Sequence, residues 1–150
     1  GWGVPEAMAE SMYHNRILAN EYLHMLISYT KDDGPELFQD GNFIELPLLQ
    51  QGVLWGICRL ADRYREQVLG HDVAENLGVY ISSESSQVRA LACRLCGVLR
   101  VPAYNSQIVE LVNDDSEMKL YDGYRIETST VGNMASEALA LLNGYKSGLR

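Results

Sequence analysis

The sequence has no apolar run approaching the ~18 residues that a membrane-spanning helix needs, so it offers no candidate span. It has only two phenylalanines and three cysteines, Cys58, Cys93 and Cys96. So low and odd a cysteine count in 150 residues does not make a disulfide scaffold; reduced thiols and a cytoplasmic location are the expectation. Basic charge is also scarce. Twelve Lys and Arg stand against twenty Asp and Glu, a formal net charge of −8. Phosphate-backbone contacts need a basic surface, so this balance argues against nucleic acid and for a protein partner with a basic or polar surface. Glycine-rich nucleotide loops and the Gly-x-Ser-x-Gly elbow are absent, and nothing calls for a cofactor. The first residues, Gly1-Trp2-Gly3-Val4-Pro5, lack the basic and apolar segments of a signal peptide.

What is present is a repeat. Val88, Leu91, Ala92, Leu95, Cys96, Val98 and Leu99 are matched by Val131, Met134, Ala135, Ala138, Leu139, Leu141 and Leu142 at a constant offset of 43. Their spacing marks one face of an α-helix. A third copy runs through Val53, Ile57, Leu60, Ala61 and Tyr64. A second helix type follows the first. Val73, Leu77, Tyr80 and Ile81 share their spacing with Tyr104, Ile108, Leu111 and Val112. Ser85 or Ser86 can cap the helix of Val88, and Pro102 breaks the chain after it. In the N-terminal third, Val4, Ala7, Met8 and Met12 form a short stripe, and Leu18, Tyr22, Met25, Leu26 and Tyr29 a longer one that ends at Lys31–Pro35.

A non-helical piece also repeats. Asp40-Gly41-Asn42-Phe43-Ile44-Glu45 resembles Asp122-Gly123-Tyr124-Arg125-Ile126-Glu127. Asp-Gly between apolar or aromatic runs signals a tight hairpin, so β-hairpins are expected near 37–46 and 118–127. Their edges could pair with another chain. No low-complexity segment divides the chain, which reads as a single helical domain over 1–150.

The segment Val88-Arg89-Ala90-Leu91-Ala92 through Leu95-Cys96-Gly97-Val98-Leu99, with Ile108, Leu111 and Asn113-Asp114, resembles a HEAT-like repeat of the type also found in phycobilisome lyases. The resemblance covers Leu48 to Leu142. The copy from Val53 lacks the arginine, the copy from Val131 has Gly132 in its place, and Ser86 stands where the family has Asp. The resemblance implies an all-α, armadillo-like superhelix, here a short solenoid with hairpin insertions. Such arrays serve many roles, and their second helices tend to line the concave face. By resemblance, Asp72, Glu75, Asn76, Asn105, Gln107 and Glu110 would give that face a polar, acidic character. Tyr121 and Tyr124 add aromatic contact points.

Three functions therefore compete. The first is a non-catalytic interaction module. The second is a tetrapyrrole-handling accessory, which would need a deep apolar cleft. The third is a metal site. On one continuous helix from Glu10 to His24, the residues Glu10, His14, Glu21 and His24 would share a face, with Glu21 and His24 at the i, i+3 spacing of di-metal bundles. A solvated face explains the same pattern. Cys93-x-x-Cys96 lies on the helical stripe and reads as core. The chain ends on a first-type helix without a covering second helix, so self-association through that end is expected.

Overall fold

The computed structural model describes residues 3–32 and 42–148. Among them the chain forms seven α-helices and one two-stranded antiparallel sheet. No helix of the described residues is long and apolar enough to cross a membrane. The chain divides into two compact units, Gly1–Asn76 and Leu77–Arg150.

The first unit holds α1 (Val4–His14), α2 (Arg16–Ser28) and α3 (Pro47–Leu69). The continuous helix from Glu10 to His24 that the metal reading requires is not formed. Asn15 takes extended backbone angles (φ −137°, ψ 103°), and its side-chain oxygen accepts the N–H groups of Ile17 and Leu18. This is an N-cap, and it starts a new helix. The buried face of α2 is Ala19, Leu23, Leu26 and Ile27, while Tyr22 and Met25 of the expected stripe are exposed. Both sets have helical spacing; the aliphatic set takes the core because Tyr tolerates water at its polar tip. The α3 stripe is buried as expected at Val53, Ile57, Leu60, Ala61 and Tyr64. α1 packs on α3 where side chains are smallest. A Cβ on Gly56 would lie 2.9 Å from the Ala9 Cβ, and one on Gly52 would lie 2.6 Å from the Glu6 carboxylate.

Half of the hairpin expected near 37–46, Asp40 and Gly41 included, lies outside the described residues. Its described part, Asn42–Leu46, contains no strand. There the Ile44 N–H bonds the Tyr29 carbonyl at 3.1 Å and the Ile44 carbonyl accepts the Gln50 amide at 3.0 Å, which uses both backbone groups elsewhere.

The second unit holds α4 (Leu77–Ile81), α5 (Ser86–Leu99), α6 (Asn105–Glu110), β1 (Glu117–Tyr121), β2 (Ile126–Thr130) and α7 (Val131–Gly148). Ser85 caps α5, its hydroxyl accepting the Val88 N–H. α5 packs against α7, with Gly97 set against Ala138 and Leu141 and Ala90 clustered with Val131 and Met134; of the stripes matched at an offset of 43, Val98 and Leu139 are half-buried and Leu141 is exposed. Val88, Leu91, Ala92, Leu95, Cys96 and Leu99 are buried, as are Val131, Met134, Ala135, Ala138 and Leu142. Each large buried aliphatic side chain contributes about 2 kcal/mol. Gly97 sets the spacing, since a Cβ there would sit 2.8 Å from the Ala138 Cα. A Cβ on Gly132 would meet the Val112 carbonyl at 2.5 Å. The position that matches Arg89 therefore has no room for any side chain.

The second-type helices are shorter than their stripes suggested. Val73–Asn76 is a 3-10 turn, α4 has five residues and α6 six. Pro102 and the chain reversal at Leu111–Asp114 leave α6 little length.

Candidate functional site

The hairpin β1–β2 carries three exposed apolar or aromatic side chains of the second unit, Tyr121, Tyr124 and Ile126. Its register pairs Glu117 with Thr130 and closes with Tyr121 opposite Ile126. The connecting turn is Asp122–Arg125. The Asp122 carboxylate accepts the Tyr124 N–H at 2.8 Å and the Arg125 N–H at 2.9 Å, while the Asp122 N–H donates to the Arg125 carbonyl. The Arg125 N–H, then the Tyr124 N–H, hold the Asp122 carboxyl below its ordinary value. Gly123 sits at φ +99°, a conformation a side chain would resist. The Asp-Gly signal thus has its expected cause.

Strand alternation gives the hairpin two faces. Met118 is buried with Ala90, Val131 and Met134, and Leu120 packs on the same cluster. The opposite face carries Lys119, Tyr121, Thr128 and Ile126. Tyr121 is 46% exposed, Ile126 67% and Tyr124 at the tip 96%. Together they make an aromatic and aliphatic patch.

The two strand edges differ. Gln87 of α5 closes the outer edge of β1: its amide donates to the Lys119 carbonyl at 2.6 Å and its side-chain oxygen accepts the Lys119 N–H at 2.8 Å. Ser86 adds a bond to the Glu117 carbonyl. The outer edge of β2 makes no backbone hydrogen bond among the described residues. Gln87 carried no sequence signal, because its role depends on a strand 32 residues away.

Arg89 anchors the base of the hairpin. It bonds Asp114 through two nitrogens at 2.9 and 3.1 Å and donates to the Ser83 and Glu84 carbonyls. The Ser116 hydroxyl first, then its N–H and Arg89, hold the Asp114 carboxyl below its ordinary value against the opposing effect of burial. The carbonyls of Asp114 and Ser116 receive the Gly132 and Val131 N–H groups, which satisfies the start of α7.

The acidic and amide residues assigned to second helices are distributed as follows. In the first unit, Asp72 and Glu75 are exposed and Asn76 is half-buried. Asp72 stands at φ +58° and its carbonyl accepts the Glu75 N–H. In the second unit, Gln107 and Glu110 are exposed and Asn105 is half-buried. Asn105, Gln107 and Glu110 share α6, while Tyr121 and Tyr124 share the hairpin, which adds exposed aromatic surface.

The residues of the metal reading are separated by the break at Asn15. Glu10 lies on α1, where Arg59 grips it with two bonds of 3.0 Å. That hydrogen bond, chiefly, lowers the Glu10 pKa. Glu21 and His24 lie on α2, and the His24 ring stands 6.5 Å from that of His71. No cluster of three or more His, Cys, Asp or Glu side chains able to hold a metal occurs among the described residues. Cys58, Cys93 and Cys96 are buried free thiols, and burial pushes the Cys93 thiol up to about 12.

Compared with family models, curated proteins and solved structures, the chain matches none.

Proposed function

We propose that the protein is a non-catalytic interaction module of the HEAT-like type, and that the β1–β2 hairpin is its contact element. The observation that carries this reading is the asymmetry of the hairpin. One edge is closed by Gln87, while the other is open beside Tyr121, Tyr124 and Ile126. An open edge offers backbone donors and acceptors to an extended segment of another protein, and the adjacent apolar face supplies side-chain specificity. The net charge of −8 favours a polar or basic segment. The paired stripes of α5 and α7 and the Arg89–Asp114 anchor support the HEAT-like reading of the second unit. The pocket walled by Arg16, Arg63 and Arg65 is charged, unlike the apolar cleft a tetrapyrrole requires.

The test is a double variant, Tyr124→Ala with Ile126→Lys. Both side chains are exposed, so the melting temperature should stay within ~2 °C of the parent. Capture of the partner recovered with the parent chain should fall at least about tenfold. Undiminished capture by the folded variant would remove the hairpin from the contact.

A further inference from the structure

α3 is broken at Tyr64, which takes non-helical angles (φ −123°, ψ 41°). In an unbroken helix, five consecutive residues point all round the axis, about 100° apart. Here Arg63, Tyr64, Arg65, Glu66 and Gln67 all line one cavity of about 370 Å3, with Arg16 from the start of α2. The kink makes this gathering possible. It is held by tethers to the first two helices. The Arg63 guanidinium and the Tyr64 hydroxyl both donate to the Tyr13 carbonyl, at 2.9 and 3.3 Å, and the Gln67 amide donates to Asn20 at 2.6 Å.

The charges are unequal. Arg65 is paired with Glu66 at 2.8 Å. Arg16 and Arg63 make no ion pair among the described residues. Arg63 instead lies near the Tyr13 and Tyr64 rings, 5.4 and 5.7 Å from their centres. Three arginines and one glutamate thus line the cavity, in a chain whose overall charge is strongly negative. The two arginines without an ion pair, Arg16 and Arg63, are exposed and leave the cavity with a positive charge that attracts anions. Guanidinium forks match the paired oxygens of a phosphate group.

We infer that this cavity is a binding site for a small organic phosphate, seated between Arg16 and Arg63 with the sugar-sized remainder against Tyr64 and Gln67. The volume lies within the range of small-ligand pockets. The site is separate from the hairpin contact and does not depend on it.

Titration calorimetry of the full chain at low salt tests this, with inorganic phosphate, ribose 5-phosphate and citrate as probes and chloride at matched ionic strength as control. Saturable binding of both phosphate probes with Kd about 1 mM or below is expected. Arg16→Gln should weaken it at least about tenfold. That side chain is exposed, so the fold should be kept. Arg94→Gln, the same charge change in the second unit, should leave binding unaltered. Absence of saturation, equal binding by Arg16→Gln, or a response matched by chloride would overturn the site. Binding of citrate as tight as phosphate would overturn the phosphate assignment.

Discussion

Single residues carry contrasting kinds of importance. Gly97 and Gly132 are fixed by what they touch. A methyl group at either position meets backbone atoms, which cannot swing aside. Gly132→Ala should therefore cost about 2–3 kcal/mol by overpacking, read as a lowered urea midpoint with unchanged slope. Asp72 is fixed by its backbone angle, which was not visible in a sequence where it read as one of several surface acids. At φ +58°, Asp72→Gly should hold or raise stability, and Asp72→Val should lower it by about 1–2 kcal/mol. Chemical denaturation of the pair separates this conformational role from a charge role, for which the two losses would be equal. Asp114 carries the pH dependence. Its folded pKa lies below the ordinary 3.8, so its contribution is present above that value and is lost as pH falls through the folded pKa. Stability should drop below about pH 4, and Asp114→Asn should flatten that acid limb while weakening the fold at pH 7. A parent-like acid limb in the variant would assign the dependence elsewhere. The buried cysteines complete this scale. Aromatic disulfide reagents at pH 8 should label the native chain only as fast as it unfolds.

At the scale of elements, legibility followed whether the signal was local. The hairpin at Glu117–Thr130 was readable because Asp122 and Gly123 satisfy the turn by themselves. The faces of α5 and α7 were readable in the main because the matched positions leave one rotational phase open, though Leu141 of the α7 stripe is exposed. α2 was legible only in part: of the expected stripe Leu18-Tyr22-Met25-Leu26-Tyr29, Leu26 is buried, but Ala19, Leu23 and Ile27 also have helical spacing, and only packing against the rest of the unit chooses between the two faces. The division of α1 from α2 has a local cause in Asn15, a preferred N-cap residue that stands between the two N-terminal stripes. The kink at Tyr64 left no trace, because neither proline nor glycine is near it. The second-type helices were overread: their stripes include residues in 3-10 turns, which bury side chains with similar spacing over one turn. The consequence is functional. Elements of five and six residues offer little surface for a groove, and the weight of the contact proposal moves from Asn105, Gln107 and Glu110 to Tyr121 and Tyr124.

For the whole molecule, the acidic balance and the helical content were legible from composition and periodicity, and the division into two compact units was not. Each unit has its own means of fastening helices: Arg59 on Glu10 in the first, Arg89 on Asp114 in the second. α7 leaves Leu141 51% exposed. Self-association through that helix predicts a concentration-dependent mass above the monomer in sedimentation at micromolar protein, and a constant monomer mass would contradict it. The central claim concerns the open edge of β2. A photo-crosslinking side chain placed at Ile126, in cells that express the chain, tests it most directly. A matched probe at Val79, 75% exposed and also in the second unit, controls for exposure alone. A discrete adduct from position 126, absent from position 79 and mapping to an extended segment of one partner, is the predicted result. The same adducts from both positions, or none from position 126, would contradict it.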